Sequence, residues 1–344
     1  MENNSEYQFI FMIPNELDHG AQNFFRRLKS SFHAENKLLF IESKEGNFIN
    51  RVYKIFKLSR NKQIVIFSTV NSNKLSLIIK ILIPSALIIP RLGNTISLEL
   101  KKNSLKYFIH KFFYFYLIKA SKKFIFQSQL MMNDFLIFFN FQENEKFTVL
   151  HNGISKKESL KDLPSISKKS NASIFLLVGT FKFQKGYDIF FHSLNHICKE
   201  VISNIEFHIC GDGSEFEKWI NFMHFHQYKE KVFFHGMTDP ALFYKNADAY
   251  ILPSRFEGFS NSLIEALSFG LPCVVSDCPS ANREVIIENF NGIFFDNLDS
   301  EDLASKIENC YESLENFDKK NIQEDLFDRF SIENISDKYM KLIM

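Results

Sequence analysis

Short, predominantly apolar runs punctuate this chain at nearly regular intervals. In the first half they fall at residues 8–13, 37–41, 63–69, 87–89, 123–126 and 147–150, and in the second at 174–179, 206–210, 232–235, 249–252 and 272–276. Short runs that are mostly apolar on both alternating faces belong to buried strands, and stretches of helical periodicity separate them. Each half therefore predicts a doubly wound parallel sheet covered by helices. A segment rich in Ser and Lys, from Ser155 to Ser173 with Pro164 inside it, interrupts the rhythm and reads as a linker. The expected organisation is an α/β chain of two Rossmann-like domains, residues 1–155 and 174–331, with a linker at 156–173 and a terminal helix at 332–344. A length of 344 residues accommodates two such cores.

Composition refines this picture. Hydrophobic residues make up 45% and charged residues 24%, the proportions of a folded globular chain and not of a disordered one. The 41 phenylalanines, with abundant Lys, Asn and Ile, read as a compositional bias in which most Phe fills the core and a minority meets a membrane surface. Cys198, Cys210, Cys273, Cys278 and Cys310 form no C-x-x-C pair and have no His at zinc-ligand spacing, as expected of buried thiols in a reducing cytosol. The polar, acidic start Met-Glu-Asn-Asn-Ser-Glu does not resemble a secretory signal. The most apolar stretch, Leu75 to Pro90, is broken by Lys80 and Pro84 and falls short of the ~20 residues that span a bilayer.

Charge is divided unevenly. Residues 1–150 carry 21 Lys and Arg against 11 Asp and Glu, whereas residues 151–344 carry 20 against 29, so a basic half precedes an acidic one. Much of the positive charge lies between Lys101 and Lys123, a basic, aromatic helical stretch. Two readings of it stand. It lies in the interface of an anionic bilayer, where each lysine contributes on the order of 1 kcal/mol, or it is a core helix with a solvated lysine face. Nucleic acid is disfavoured as a partner, because no helix-turn-helix, RNP or zinc signature accompanies the charge.

The chemistry concentrates in Leu252-Pro-Ser-Arg-Phe-Glu-Gly-Phe-Ser-Asn-Ser-Leu-Ile-Glu-Ala-Leu-Ser-Phe-Gly-Leu-Pro-Cys273, where Glu257 and Glu265 stand eight positions apart. Glu257 falls in a loop beside Gly258. Glu265 is expected in the first turn of a helix that ends at Gly270 and is stopped by Pro272. Between them, backbone N–H groups from Gly258 through Phe259, Ser260 and Asn261 to Ser262 open toward a helix N-terminus that favours phosphate. A diphosphate flanked by two polyols suits that arrangement. The same residues also allow a purely structural reading, in which Ser262 and Glu265 form an S-x-x-E capping box and Glu257 is a solvated loop acid.

The stretch resembles the signature of family 4 retaining glycosyltransferases of the GT-B fold, E-G-F-x-x-x-L-x-E-A-x-x-x-G-x-P-V. The likeness continues through Val274-Val275-Ser276-Asp277 to Glu284 and Asn291-Gly292. The resemblance implies two Rossmann-like domains facing across a cleft, with the terminal helix from Ile332 crossing back to the first. Val178-Gly179-Thr180-Phe181-Lys182-Phe183-Gln184-Lys185-Gly186 is similar to the family's V-G-R-x-x-x-x-K-G phosphate loop. Lys185 takes the lysine position, whereas Thr180 replaces the arginine, and a hydroxyl supplies no fixed bidentate charge. Lys182 is a candidate substitute from the same loop. Cys210-Gly211-Asp212-Gly213 resembles the family's G-D-G turn, and Gly236 and Met237 stand where relatives hold the base through backbone groups. A tight glycine turn without a ligand accounts equally for Gly211 and Gly213.

In the first half, His19-Gly20-Ala21-Gln22 stands where relatives often carry Gly-Gly-Ala-Glu, with His19 and Gly20 as acceptor or phosphate contacts. The segment holding Arg91 and Asn94 lacks the family's cleft histidine but is similar to the R-x-x-N of some polysaccharide-making relatives, which makes Arg91 a candidate for an anionic head group. Gln127-Ser128 and His151-Asn152-Gly153 also look like family turns at strand ends.

What the resemblance implies is transfer of a hexose or N-acetylhexosamine with retention, from a nucleotide sugar, with UDP the default, and with neither a cofactor nor a bound metal. Lys185 would meet the leaving diphosphate, Glu257 the sugar and Glu265 the ribose. The basic aromatic first domain suggests a polyprenyl-diphosphate-linked acceptor of an O-antigen or capsule pathway, at the inner face of the cytoplasmic membrane. Three alternatives remain: a GT-B enzyme with a small soluble acceptor, a nucleotide-sugar epimerase, which the extended signature disfavours, and a catalytically silent sugar-nucleotide-binding partner.

Overall fold

A computed structural model describes residues 7–13, 24–28, 31, 38–42, 48–60, 63–69, 72–156 and 171–342. The chain divides into two units, residues 1–153 together with 332–344, and residues 154–331.

In the first unit, β1 (Tyr7–Ile13), β2 (Leu38–Glu42), β3 (Gln63–Ser68) and β4 (Leu87–Pro90) form a parallel sheet in the order β2-β1-β3-β4. β5 (Phe124–Phe126) and β6 (Phe147–Val149) form a parallel pair that joins it through a bridge from Arg91 to Ile125. Alternate residues of a strand face opposite sides of a sheet, and here both sides are covered. Ile64, Ile66, Ile88, Phe124 and Phe126 pack with Tyr107, Tyr114 and Phe135 on one side. Val65, Phe67, Ile89 and Ile125 pack on the other with Ile332, Ile335 and Tyr339 of the terminal helix Ile332–Lys341. That helix is polar on its outer face and supplies the apolar cover that one side of this sheet requires.

In the second unit, β7 (Ser173–Val178), β8 (Ile205–Cys210), β9 (Val232–Phe234), β10 (Ala249–Leu252), β11 (Cys273–Ser276) and β12 (Gly292–Phe295) run parallel in the order β12-β11-β10-β7-β8-β9. The chain moves outward from β7 to β9, then returns to lay β10 against the other edge of β7. Loops leaving β7 and β10 turn to opposite faces of the sheet, so a crevice opens beyond their carboxyl ends, the place where doubly wound sheets bind ligands. Both motifs singled out in the sequence follow these two strands.

Candidate functional site

From Val178 the chain passes through Gly179 and Thr180 into a tight turn, Phe183–Lys185, and then the helix Tyr187–Ser193. The ring of Phe181 stacks on Tyr187 at 3.9 Å, and the Tyr187 hydroxyl donates to the Gly179 carbonyl at 2.8 Å, which fixes the base of the loop. Gly186 adopts φ +65°, and a Cβ there would stand 2.0 Å from the Pro253 carbonyl oxygen, so the two switch-point loops touch only because this residue is glycine.

That contact sets Lys185 against Glu257. The Lys185 ammonium donates to Glu257 Oε1 at 2.6 Å, and the Ser254 hydroxyl donates to the same oxygen at 2.7 Å. The two side chains are 17% and 8% exposed, so little water screens the ion pair. Sequence reasoning missed the residue that holds these loops together. Arg255 makes a bidentate pair with Asp188 at 2.6 and 2.5 Å, donates to the Phe183 carbonyl at 3.0 Å and stacks over the Phe183 ring at 4.1 Å. Its own N–H donates to the Gln184 carbonyl at 2.8 Å. Burial raises the Asp188 carboxyl, yet the bonds and charge of Arg255 outweigh it and hold Asp188 below its ordinary value. The available signal was positional: Arg255 lies two residues before Glu257 and Asp188 three after Lys185.

After Glu257 the loop is stitched to the turn beyond β11. The Glu257 N–H donates to the Pro279 carbonyl at 3.3 Å, and the Gly258 carbonyl accepts from Ala281 at 3.1 Å. The helix spans Asn261–Ser268, with Ser260 at its N-cap and Gly270 at φ +76° just beyond its end. The Ser262–Glu265 capping box does not form. Ser262 lies inside the helix, and its Oγ takes a bond from the Tyr250 hydroxyl at 2.8 Å. Glu265 stands in the second turn and not the first, half-buried, and accepts a long 3.4 Å bond from Tyr244. Burial, with the nearby Glu265 charge, raises the Tyr244 phenol well above its usual range and keeps it a neutral donor. The ring of Phe259 is buried against Phe330, so its side chain belongs to the core and only its backbone faces the loop.

The neighbouring strand-end loops line up beside this pair. Gly211 donates to the Gly236 carbonyl at 2.8 Å, and a Cβ on Gly211 would come 1.9 Å from the Gly179 carbonyl oxygen, so the G-D-G turn serves close backbone approach. Thr180 and Lys182 are exposed, Gly236 adopts φ +62° in open surroundings, and Met237 is 68% exposed. These last two follow β9, two strand spacings or roughly 10 Å from β7. Beside them His235 Nε2 lies 3.1 Å from His208 Nδ1, and burial together with the neighbouring imidazole pushes His235 down to about 4.

The first-unit candidates do not gather. Arg91 is 3% exposed, bonds the Asn152 side-chain oxygen, stacks 4.2 Å over Phe24 and lies beside Tyr339. It locks the terminal helix to the sheet and is not presented to an anionic head group. Asn94 is exposed and bonds Glu99 at 2.5 Å, so the R-x-x-N residues serve different surroundings. Ser128 caps the Gln129–Phe139 helix by accepting from Met131 at 3.1 Å, a structural role. His19 and Gly20 lie outside the described residues. Among the described residues no cluster of three or more His, Cys, Asp or Glu is gathered as metal ligands, and no helix is long and apolar enough to cross a membrane.

Comparison with known proteins gives this geometry a context. Residues 159–323 match the glycosyl transferases group 1 family model. A lipopolysaccharide 1,6-galactosyltransferase of Salmonella typhimurium is 33% identical over 155 residues, 43% of this chain and 41% of the relative. The O-antigen biosynthesis glycosyltransferase WclY of Escherichia coli is 24% identical over 208 residues, 51% of this chain and 58% of the relative. The matches thus span about half of these relatives' length. Among solved structures, Anabaena HepE in complex with UDP-glucose superposes with a TM-score of 0.78 at 15% identity, covering 98% of this chain and 99% of that one. The lipopolysaccharide outer core galactosyltransferase WaaB in its apo form gives 0.68 at 19%, covering 98% and 99%. The chain has the GT-B fold, and the Lys185–Glu257 pair at the switch point lies within the residues that match the glycosyl transferases group 1 model.

Proposed function

We propose that the protein is a retaining, metal-independent glycosyltransferase of family 4, which moves a hexose or N-acetylhexosamine from a UDP-sugar to a lipid-linked oligosaccharide in O-antigen or capsule synthesis. The observation that carries this reading is the meeting of Lys185 and Glu257 at 2.6 Å beyond the carboxyl ends of β7 and β10, inside the region that matches glycosyl transferases. Relatives named for lipopolysaccharide and O-antigen synthesis support the pathway, and the UDP-glucose complex of HepE supports the donor class.

In this reading the diphosphate takes the Lys185 ammonium, aided by the N-terminus of the Asn261–Ser268 helix. Glu257, relieved of its cation but still held by Ser254, turns its carboxylate to the sugar hydroxyls and to the positive charge that develops at the anomeric carbon. Glu265 takes the ribose hydroxyls, and the backbone at Gly236 and Met237 takes the base. The acceptor hydroxyl attacks from the face the diphosphate leaves. The first unit works at the inner face of the cytoplasmic membrane, where a polyprenyl-diphosphate-linked acceptor resides.

The test is incubation with a panel of UDP-sugars and a polyprenyl-diphosphate-linked oligosaccharide fraction, with UDP release and the anomeric configuration of the product followed by NMR. Transfer with retention is expected. One observation favours a second reading, a silent sugar-nucleotide-binding partner: Thr180 leaves the phosphate loop without its arginine, and Arg255 is already committed to Asp188. Nucleotide binding without turnover over several acceptors selects that reading.

A further inference from the structure

The helix Leu105–Ala120 is apolar on two opposite faces, and only one of them is covered. Tyr107, Tyr114 and Leu117 are buried against the first unit's sheet. On the far side, Leu105 is 78% exposed, Phe108 56%, Ile109 57%, Phe112 64% and Tyr116 45%. Positions 105, 108, 109, 112 and 116 repeat with the helical period and form one continuous stripe. A helix apolar all round is normally buried, and an exposed stripe of this size marks a contact surface.

The stripe has a neighbour. The Asn73–Leu82 helix packs beside Leu105–Ala120, and it exposes Ile81 at 71% and Leu82 at 53%. The charge around both helices is predominantly positive. Lys106 and Lys111 flank the stripe on either side, and Lys119 continues it. Between residues 46 and 146 the sequence holds 16 Lys and Arg against four acids, Glu99, Asp134, Glu143 and Glu145, and Asn94 engages Glu99 at 2.5 Å. A protein partner for an apolar patch needs no such one-sided field, whereas an anionic lipid surface draws lysines to its phosphates while aromatic rings enter the headgroup layer.

We infer that these two helices form a joint membrane-contact facet, whose occupant is the interface of a bilayer rich in anionic phospholipid. Phe108 and Phe112 enter the lipid, and Lys106, Lys111 and Lys119 take headgroup phosphates. The inference deepens the proposed membrane location and rests on it only for its biological setting, because the facet is defined by residues remote in sequence from Lys185 and Glu257.

The experiment is flotation of the full chain with phosphatidylcholine vesicles and with phosphatidylcholine–phosphatidylglycerol vesicles, beside Phe108→Ser/Phe112→Ser and Lys106→Glu/Lys111→Glu variants. All four side chains lie at the surface or its margin, and UDP binding and sedimentation are recorded on the same preparations. The wild type is expected on phosphatidylglycerol vesicles and not on phosphatidylcholine alone, less so at high salt, with each variant weakened at least tenfold and UDP binding unchanged. Equal binding by the variants, or no binding by the wild type, overturns the facet. So does a wild-type dimer that the Phe108→Ser/Phe112→Ser variant dissociates, since a second copy would then be the occupant. A wild type that binds UDP but no vesicles defeats the facet alone; a wild type that binds vesicles but no UDP defeats the donor-site reading alone.

Discussion

Replacing Lys185 by alanine takes the ammonium away from a carboxylate that is only 8% exposed. The Ser254 hydroxyl at 2.7 Å remains but carries no charge. Removing one partner of a buried ion pair costs about 3–5 kcal/mol, because the other charge stays buried. Lys185 keeps 17% exposure, which puts this pair at the low end, about 3 kcal/mol. Glu257→Gln is the milder change. It leaves a neutral amide in place of the acid, and the lysine, on a flexible stem, regains water at a cost of about 1 kcal/mol. The double variant, with neither charge, is therefore expected to be more stable than Lys185→Ala alone. The single tryptophan of the chain, Trp219, is buried in the second unit, so its fluorescence in urea reports this unit. A melting shift of roughly 9 °C for Lys185→Ala follows from about 3 °C per kcal/mol at this domain size. If Lys185→Ala loses less than about 1 kcal/mol, or if Glu257→Gln adds its full cost on top of it, the pair does not carry the coupling argued here.

Arg255→Ala should lower kcat/KM about tenfold, or ~1.4 kcal/mol, by loosening the turn that aims Lys185, and Arg255→Lys should recover only part, since an ammonium cannot make the bidentate bond to Asp188 or the same stack on Phe183; equal activity of Arg255→Lys and wild type would show that the fork geometry is irrelevant. Gly211→Ala is expected to destabilise the second unit by several kcal/mol, on the order of 3, because its Cβ would meet the Gly179 carbonyl oxygen at 1.9 Å; an unchanged urea midpoint would mean the turn and the phosphate loop do not abut. The folded-state pKa of His235 is about 4 against an ordinary 6.5, so the unfolded chain binds the extra proton first. This contribution to stability is complete above pH 6.5 and is lost as the pH falls toward 4. His235→Asn should flatten that part of the stability profile, and a profile identical to wild type would contradict the burial that depresses His235.

Much of the fold was legible because both sheets are buried on two faces, and strands of that kind announce themselves as short, predominantly apolar runs. β12 was not. Gly292-Ile-Phe-Phe295 is a short edge strand behind an Asn-Gly, which reads as a turn. Lys185 and Glu257 were legible through their motifs, but the physical reason they meet is the switch-point crossing of β7 and β10 and the glycine at position 186, which spacing along the chain does not express. The capping box failed because the helix begins two residues earlier, with Ser260 at its N-cap, so that Ser262 lies inside the first turn and meets Tyr250 of the neighbouring strand. Arg91 misled for a tertiary reason: nothing local shows that Asn152 and Tyr339, 61 and 248 positions away, enclose it.

The most direct test of the donor site is calorimetric titration of UDP, GDP, ADP and CMP into the purified protein and into Glu265→Ala. UDP is expected to bind the wild type and to bind the variant at least tenfold, ~1.4 kcal/mol, more weakly. Failure of all four to bind, or binding of UDP that Glu265→Ala leaves unchanged, would contradict a nucleotide-sugar site at the β7–β10 crevice.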